Sequence, residues 1–298
     1  MTTAIRLDAL CKTYPRSWRA PPFAAVKNLS LEVAEGEVFG FIGPNGAGKS
    51  TTIQLLTGGM AATSGRAELF GIDVAQPQAR KGLGYVPENP SLPDYLTPLE
   101  ILGMGVRLHA ARVDDVQAHC LRWLERFGLG AVANKTVRSF SKGMAQRTAL
   151  AHAMAVKPRL LILDEPLSGL DPIGRRDVVD ILSEYRRDGG TIFLTSHVLH
   201  DVERLADRFG LIHQGELRAV RAPAELVGSD EHVLLRTQGA AAALPAMHPE
   251  PGGRWVVELP RDQLYAALHA AEAAGHVVVE VRPMLSLETA FMRVVAGQ

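Results

Sequence analysis

Eight residues constrain this chain more than any others: "GPNGAGKS", Gly43 to Ser50. The run before them, "LSLEVAEGEVFGFIG", reads as strand and turn, and "GKSTTIQLLTGGM" reads as a helix closed by Gly58 and Gly59. A glycine-rich turn between a strand and a helix lets successive backbone N–H groups point inward at phosphate oxygens. In that setting Lys49 is placed to reach β- and γ-phosphates, and the Ser50 hydroxyl to hold Mg²⁺.

Downstream, "RLLILDE", the helix-like "PIGRRDVVDILSEYRRDG" and "TIFLTS" keep up a βα alternation. The expected fold class is therefore α/β, a mostly parallel sheet flanked by helices. Residues 87–157 read as almost wholly helical, an inserted lobe. Composition shifts near Ala222, where "QGAAAALPAMHPEPGG" reads as a loop among short strands, the helix-like "RDQLYAALHAAEAAG" and "SLETAFMRVV". The boundaries expected are 1–221 for the main domain and 222–298 for a small α+β appendage.

The 298 residues supply ample material for a core, and 32 basic against 32 acidic side chains argue against a face built for nucleic acid. Cys11 and Cys120 match no metal-ligand spacing and read as reduced thiols. "MTTAIRLDAL" has no basic stretch followed by an apolar one, and no run approaches the ~18 apolar residues of a membrane span.

Three further stretches carry chemistry. "LLILDEP" ends a strand in adjacent carboxylates, which are costly to bury without a cation. Mg²⁺ supplies one: Asp164 fits as its ligand through water, and Glu165 as the group that polarises an attacking water. His197, just past "TIFLTS", should emerge at the carboxyl edge of the sheet. "FSKGM", Phe140 to Met144, offers a second anion turn, Ser and Gly at a helix start.

In order and spacing, "GPNGAGKST", "FSKGMAQR", "LLILDEPLSGLDP" and "TSH" resemble the nucleotide-binding subunit of an ATP-binding-cassette (ABC) transporter, over about residues 4–220. The resemblance implies a P-loop NTPase core with a helical subdomain and an N-terminal β subdomain. It also explains the second anion turn. Two cassettes pair head to tail, so the signature turn of one closes over ATP held by the other. Phosphates would lie on Gly43, Pro44, Asn45, Gly46, Ala47, Gly48, Lys49, Ser50 and Thr51. Ser141 and Gly143 would touch the partner's γ-phosphate, Asp171 would tie the two sites together, and His197 would contact the γ-phosphate. Tyr14 is the residue expected to stack on adenine, with Trp18 its rival. Glu88 stands where the family usually has Gln and would face Mg²⁺. Phe140, Lys142 and Met144 replace the usual Leu, Gly and Gln, yet the contacting Ser141 and Gly143 remain.

"GYVPENPSLPDYLTPLE", "FSKGM" and "SLETAFMRVV" look like ATPases of the ABC-2 type, mainly exporters. That implies ATP and Mg²⁺ as cofactors, a homodimer on ATP binding, a separate transmembrane permease, and a cytoplasmic chain held peripherally at the membrane. Tyr95, Leu96, Leu99, Ile101 and Leu102 would form either a groove for a permease helix or the core of the helical lobe. A soluble ABC ATPase acting on ribosomes or DNA is the alternative, weakened by a single cassette, balanced charge and no coiled coil.

Overall fold

In the computed structural model, which describes residues 2–15, 21–197, 202, 204–223, 225 and 232–283, two long antiparallel strands come first. These are β1 (Thr3–Tyr14) and β2 (Phe23–Ala34), followed by β3 (Val38–Ile42) and helix α1 (Lys49–Leu56). β4 (Ser64–Leu69) and β5 (Ile72–Asp73) complete a four-stranded sheet in the order β2-β1-β4-β5. Alternation along β1 sends Ile5 and Leu7 inward while Arg6 and Asp8 stay exposed, the period of a half-buried strand.

The second sheet positions the chemistry. After β6 (Leu83–Val86) come three helices, α2 (Pro98–Leu108), α3 (Val116–Arg126) and α4 (Lys142–Ala155). Then follow β7 (Leu160–Asp164), α5 (Pro172–Arg187), β8 (Thr191–Ser196), β9 (Arg208–His213) and β10 (Glu216–Arg221). Their order is β10-β9-β3-β8-β7-β6, with β3, β6, β7, β8 and β9 joined by parallel pairings. Every residue of β3, β7 and β8 is buried, as in a parallel sheet covered on both faces. Phe39 stacks on Phe193 at 5.9 Å between centroids, and Phe41 meets the same ring at 5.5 Å. Truncating one of these to Ala costs about 3–5 kcal/mol.

The region between β6 and β7 is less helical than its composition suggests. Residues 87–97 form no helix, because three prolines remove donors and restrict their neighbours. α2 begins only where Thr97 and Glu100 close a reciprocal cap, each accepting the other's backbone N–H. Ile101 and Leu102, at 2% and 0% exposure, are lobe core, whereas Tyr95 is 74% exposed. Gly105 lets α2 approach α4 closely: a Cβ there would overlap the His152 ring.

The chain divides into two compact units, Met1–Val220 and Arg221–Gln298. The second contains β11 (His232–Gln238), β12 (His248–Glu250), β13 (Arg254–Pro260), helix α6 (Leu264–Ala273) and β14 (Val277–Pro283), in the sheet order β12-β13-β11-β14. Val233, Leu235, Val257, Leu259 and Ala267 make its core. β12 sits inside the Ala/Pro/Gly-rich stretch read as a loop. It is short and owes its existence to pairing with β13, and its Glu250 accepts from Arg236 of β11 at 2.7 Å. "SLETAFMRVV" lies outside the described residues.

Burial, and next the neighbouring His109, holds the His152 imidazole below its ordinary value of 6.5. The unfolded chain therefore takes up this proton first as pH falls, and the contribution is lost below about pH 6.5. Denaturant melts at about pH 7.5 and about pH 5.5 should show a smaller acid loss in His152→Gln than in wild type. Equal losses would contradict this.

Candidate active site

Parallel register brings the chemistry to one edge. Ile42 pairs with Ser196, and Asp164 with Thr195. The glycine-rich turn after β3, the Asp164–Glu165 pair after β7 and His197 after β8 therefore emerge together. Phe23, Ala25, Asn45, Gly46, Gly48, Lys49, Ser50, Thr51, Glu88, Asp164, Glu165 and His197 line a single cleft of about 400 Å³.

Within it the polar groups are tightly matched. The Lys49 ammonium donates to the Gly43 carbonyl at 2.7 Å and to the Pro44 carbonyl at 3.4 Å. It lies 3.7 Å from Glu165 Oε1, and both side chains are buried. Glu165 Oε2 is 2.8 Å from His197 Nδ1, which carries the bridging proton when the carboxylate is ionised. Thr195 Oγ1 donates to Asp164 Oδ1 at 2.6 Å and accepts the Glu165 N–H at 3.1 Å. One hydroxyl thereby orients the Asp164 carboxylate and anchors the Glu165 backbone. Glu165 itself has φ 50°, a left-handed conformation that costs a non-glycine residue on the order of 1–3 kcal/mol.

The cradle depends on Gly48, the residue before α1. Its φ is 112°, and a Cβ there would stand 2.5 Å from the Ala25 carbonyl oxygen. Side chains are thus barred where an anion must approach the backbone at the positive end of α1. An ammonium, a helix start and open glycine backbone fit a polyphosphate. Among the described residues no cluster of three or more His, Cys, Asp or Glu could hold a metal alone. The Ser50 hydroxyl with one or two carboxylates suits Mg²⁺ completed by phosphate oxygens.

Other expected residues lie elsewhere. Ser141 caps α4, its Oγ accepting the Met144 N–H at 3.3 Å, and Gly143 packs against the Gly169 carbonyl. Asp171 caps α5 and faces Arg147 at 3.7 Å. None of the three lines the cleft. Tyr14 is also outside it, its hydroxyl donating to Met60 Sδ at 3.1 Å; Trp18 lies outside the described residues. Sequence reading passed over Thr195 and Phe23. The first shows only once β7 and β8 are in register, and the second only through its pairing with Tyr14.

The family profile described as ABC transporter matches residues 26–168. An uncharacterized ABC transporter ATP-binding protein of Nostoc sp. is 33% identical, over 94% of this chain and 86% of that protein. The linearmycin resistance ATP-binding protein LnrL of Bacillus subtilis is 34% identical, over 72% and 70% respectively. A solved dimeric bacterial ABC transporter cassette superposes with a TM-score of 0.69 at 25% identity, covering 74% of this chain and 98% of that one. The chain belongs to the ABC transporter ATP-binding family. It is an ATPase subunit with the P-loop cassette fold.

Gly48→Ala should weaken ATP binding by about tenfold or more, from backbone strain and the clash with Ala25. Equilibrium dialysis giving wild-type affinity would contradict the role of this turn.

Proposed function

We propose that this chain powers an exporter of the ABC-2 type, acting with a separate membrane permease and forming a head-to-tail homodimer on ATP binding. The observation that carries the ATPase chemistry is the contiguous set Lys49, Glu165 and His197 at one strand edge. Glu165 accepts the proton of the attacking water. His197 anchors the Glu165 carboxylate through Nδ1, and when doubly protonated it offers Nε2–H to the γ-phosphate. Lys49 neutralises charge on the transferred phosphoryl group. Ser50, Glu88 and Asp164 would hold Mg²⁺, which supplies further charge neutralisation at the phosphate oxygens. Gly43 to Thr51 would wrap the phosphates with backbone donors.

Dimerisation is supported by the position of Ser141, Gly143 and Asp171, which share no cleft with Lys49 in the same chain. In this reading they serve the partner's nucleotide. The dimeric cassette among the structural neighbours supports the same arrangement. Export is supported by LnrL, named for linearmycin resistance. A separate permease is supported by the absence, among the described residues, of any helix long and apolar enough to cross a membrane. Tyr95, Met104 and Leu108, at 74%, 39% and 76% exposure, are suited to receive a permease helix. Ile101 and Leu102 are excluded from that role by burial. The chain would thus work peripherally on the cytoplasmic face of the membrane.

Glu165→Gln keeps the shape of the side chain and removes its basicity. Steady-state hydrolysis should fall by about 10²–10⁴-fold while ATP still binds. Near-normal turnover would remove Glu165 from the role of base.

A further inference from the structure

We infer that Thr195 is a positioning residue for the ATPase reaction, its hydroxyl holding Asp164 and Glu165 in the arrangement that Mg²⁺ and the attacking water require. This rests on the reading of Asp164 as a Mg²⁺ ligand through water and of Glu165 as the base. Thr195 lies in β8 directly beside Asp164 of β7, and it is fully buried. Its Oγ1 accepts the Glu165 N–H at 3.1 Å, and its one proton goes to Asp164 Oδ1, 2.6 Å away. The terminal torsion of an aspartate is soft, and a short bond to the carboxylate fixes the plane of that group. An ionised carboxylate keeps further acceptor sites. Asp164 lines the cleft, where those sites serve a metal or its water.

The same hydroxyl acts on Glu165 through the backbone. Glu165 takes φ 50°, a conformation costly for a non-glycine residue, and the bond to Thr195 holds its N–H at that turn. Two positions further on, His197 Nδ1 is 2.8 Å from the Glu165 carboxylate. The end of β8 therefore grips both acids: Thr195 holds the Asp164 carboxylate and the Glu165 backbone, and His197 holds the Glu165 carboxylate. Thr191, at the other end of the same strand, supplies a contrast. It is also fully buried, but its hydroxyl accepts the Gly36 N–H at 2.9 Å, beside the start of β7 and not its acidic end.

The test measures equilibrium binding of adenylyl imidodiphosphate, a non-hydrolysable ATP analogue, to the full chain, with Mg²⁺ and with EDTA in its place. Steady-state ATP hydrolysis is followed alongside. Thr195→Val keeps the shape of the side chain and removes its hydroxyl. It should weaken binding of the Mg²⁺ complex and lower kcat, each by about 10–100-fold, the usual cost of removing a group that orients a metal ligand. Binding in EDTA should stay as in wild type, which also reports a folded cradle. Thr195→Ser keeps the hydroxyl and should restore both quantities. Thr191→Val should lower stability in a denaturant melt and leave kcat and the Mg²⁺ dependence as in wild type. Wild-type kcat in Thr195→Val, an equal loss of binding with and without Mg²⁺, or failure of Thr195→Ser to restore kcat would overturn the assignment. Failure of the wild-type chain to bind the analogue, or binding indifferent to Mg²⁺, would instead overturn the reading of the site on which it rests.

Discussion

A buried ammonium and a buried carboxylate 3.7 Å apart, Lys49 and Glu165, set the terms for the rest of this molecule. Burying two charges costs several kcal/mol each, and mutual attraction repays that only with further hydrogen bonds. Here the Gly43 and Pro44 carbonyls satisfy the ammonium, while His197 holds the carboxylate. Replacing such a pair by apolar residues of similar volume is often neutral or stabilising. The strained φ of Glu165 adds to the same cost. These features make sense under the proposed function as a prepared site, where an arriving phosphate would compete with the two carbonyls for Lys49 and leave Glu165 beside it.

That arrangement tolerates little freedom in the sheet. Lys49, Asp164, Glu165 and His197 come from three different strand connections, and each depends on register between β3, β7 and β8. The full burial of those strands holds the register, because a slip would strand buried backbone groups. The signature turn is tied to the same loop within one chain. Gln146 Nε2 donates to the Pro166 carbonyl at 3.2 Å, and the Lys142 side chain covers Gly169 and reaches Ser168 at 3.4 Å. Lys142, a departure from the usual glycine, therefore packs where Gly169 leaves room at φ +75°.

The sheet and its active edge were legible because their signals are local. Apolar runs of five or six residues became fully buried parallel strands, and the glycine turn opened a helix as its spacing implied. Features depending on pairing were not legible. Thr195 looks like any strand hydroxyl until β8 lies beside β7. Phe23 looks like loop-edge filler until it faces Tyr14 across the ribbon. The tertiary contacts also decided the two misread stretches: prolines keep residues 87–97 out of helix, and β13 draws 248–250 into a strand.

In the proposed head-to-tail dimer one nucleotide would be handled by two chains, Lys49 from one and Ser141 from the other. Mixing two separately inactive variants tests it most directly. Lys49→Ala disables the cradle, and Ser141→Arg crowds the signature turn. In a mixed dimer both lesions fall on one site and leave the other intact. ATP hydrolysis should return, to at most about half per mixed dimer if the sites act independently. ATP-dependent dimerisation, followed with differential tags, should return with it. Confirmed mixed dimers that recover neither hydrolysis nor ATP-dependent association would contradict the shared site.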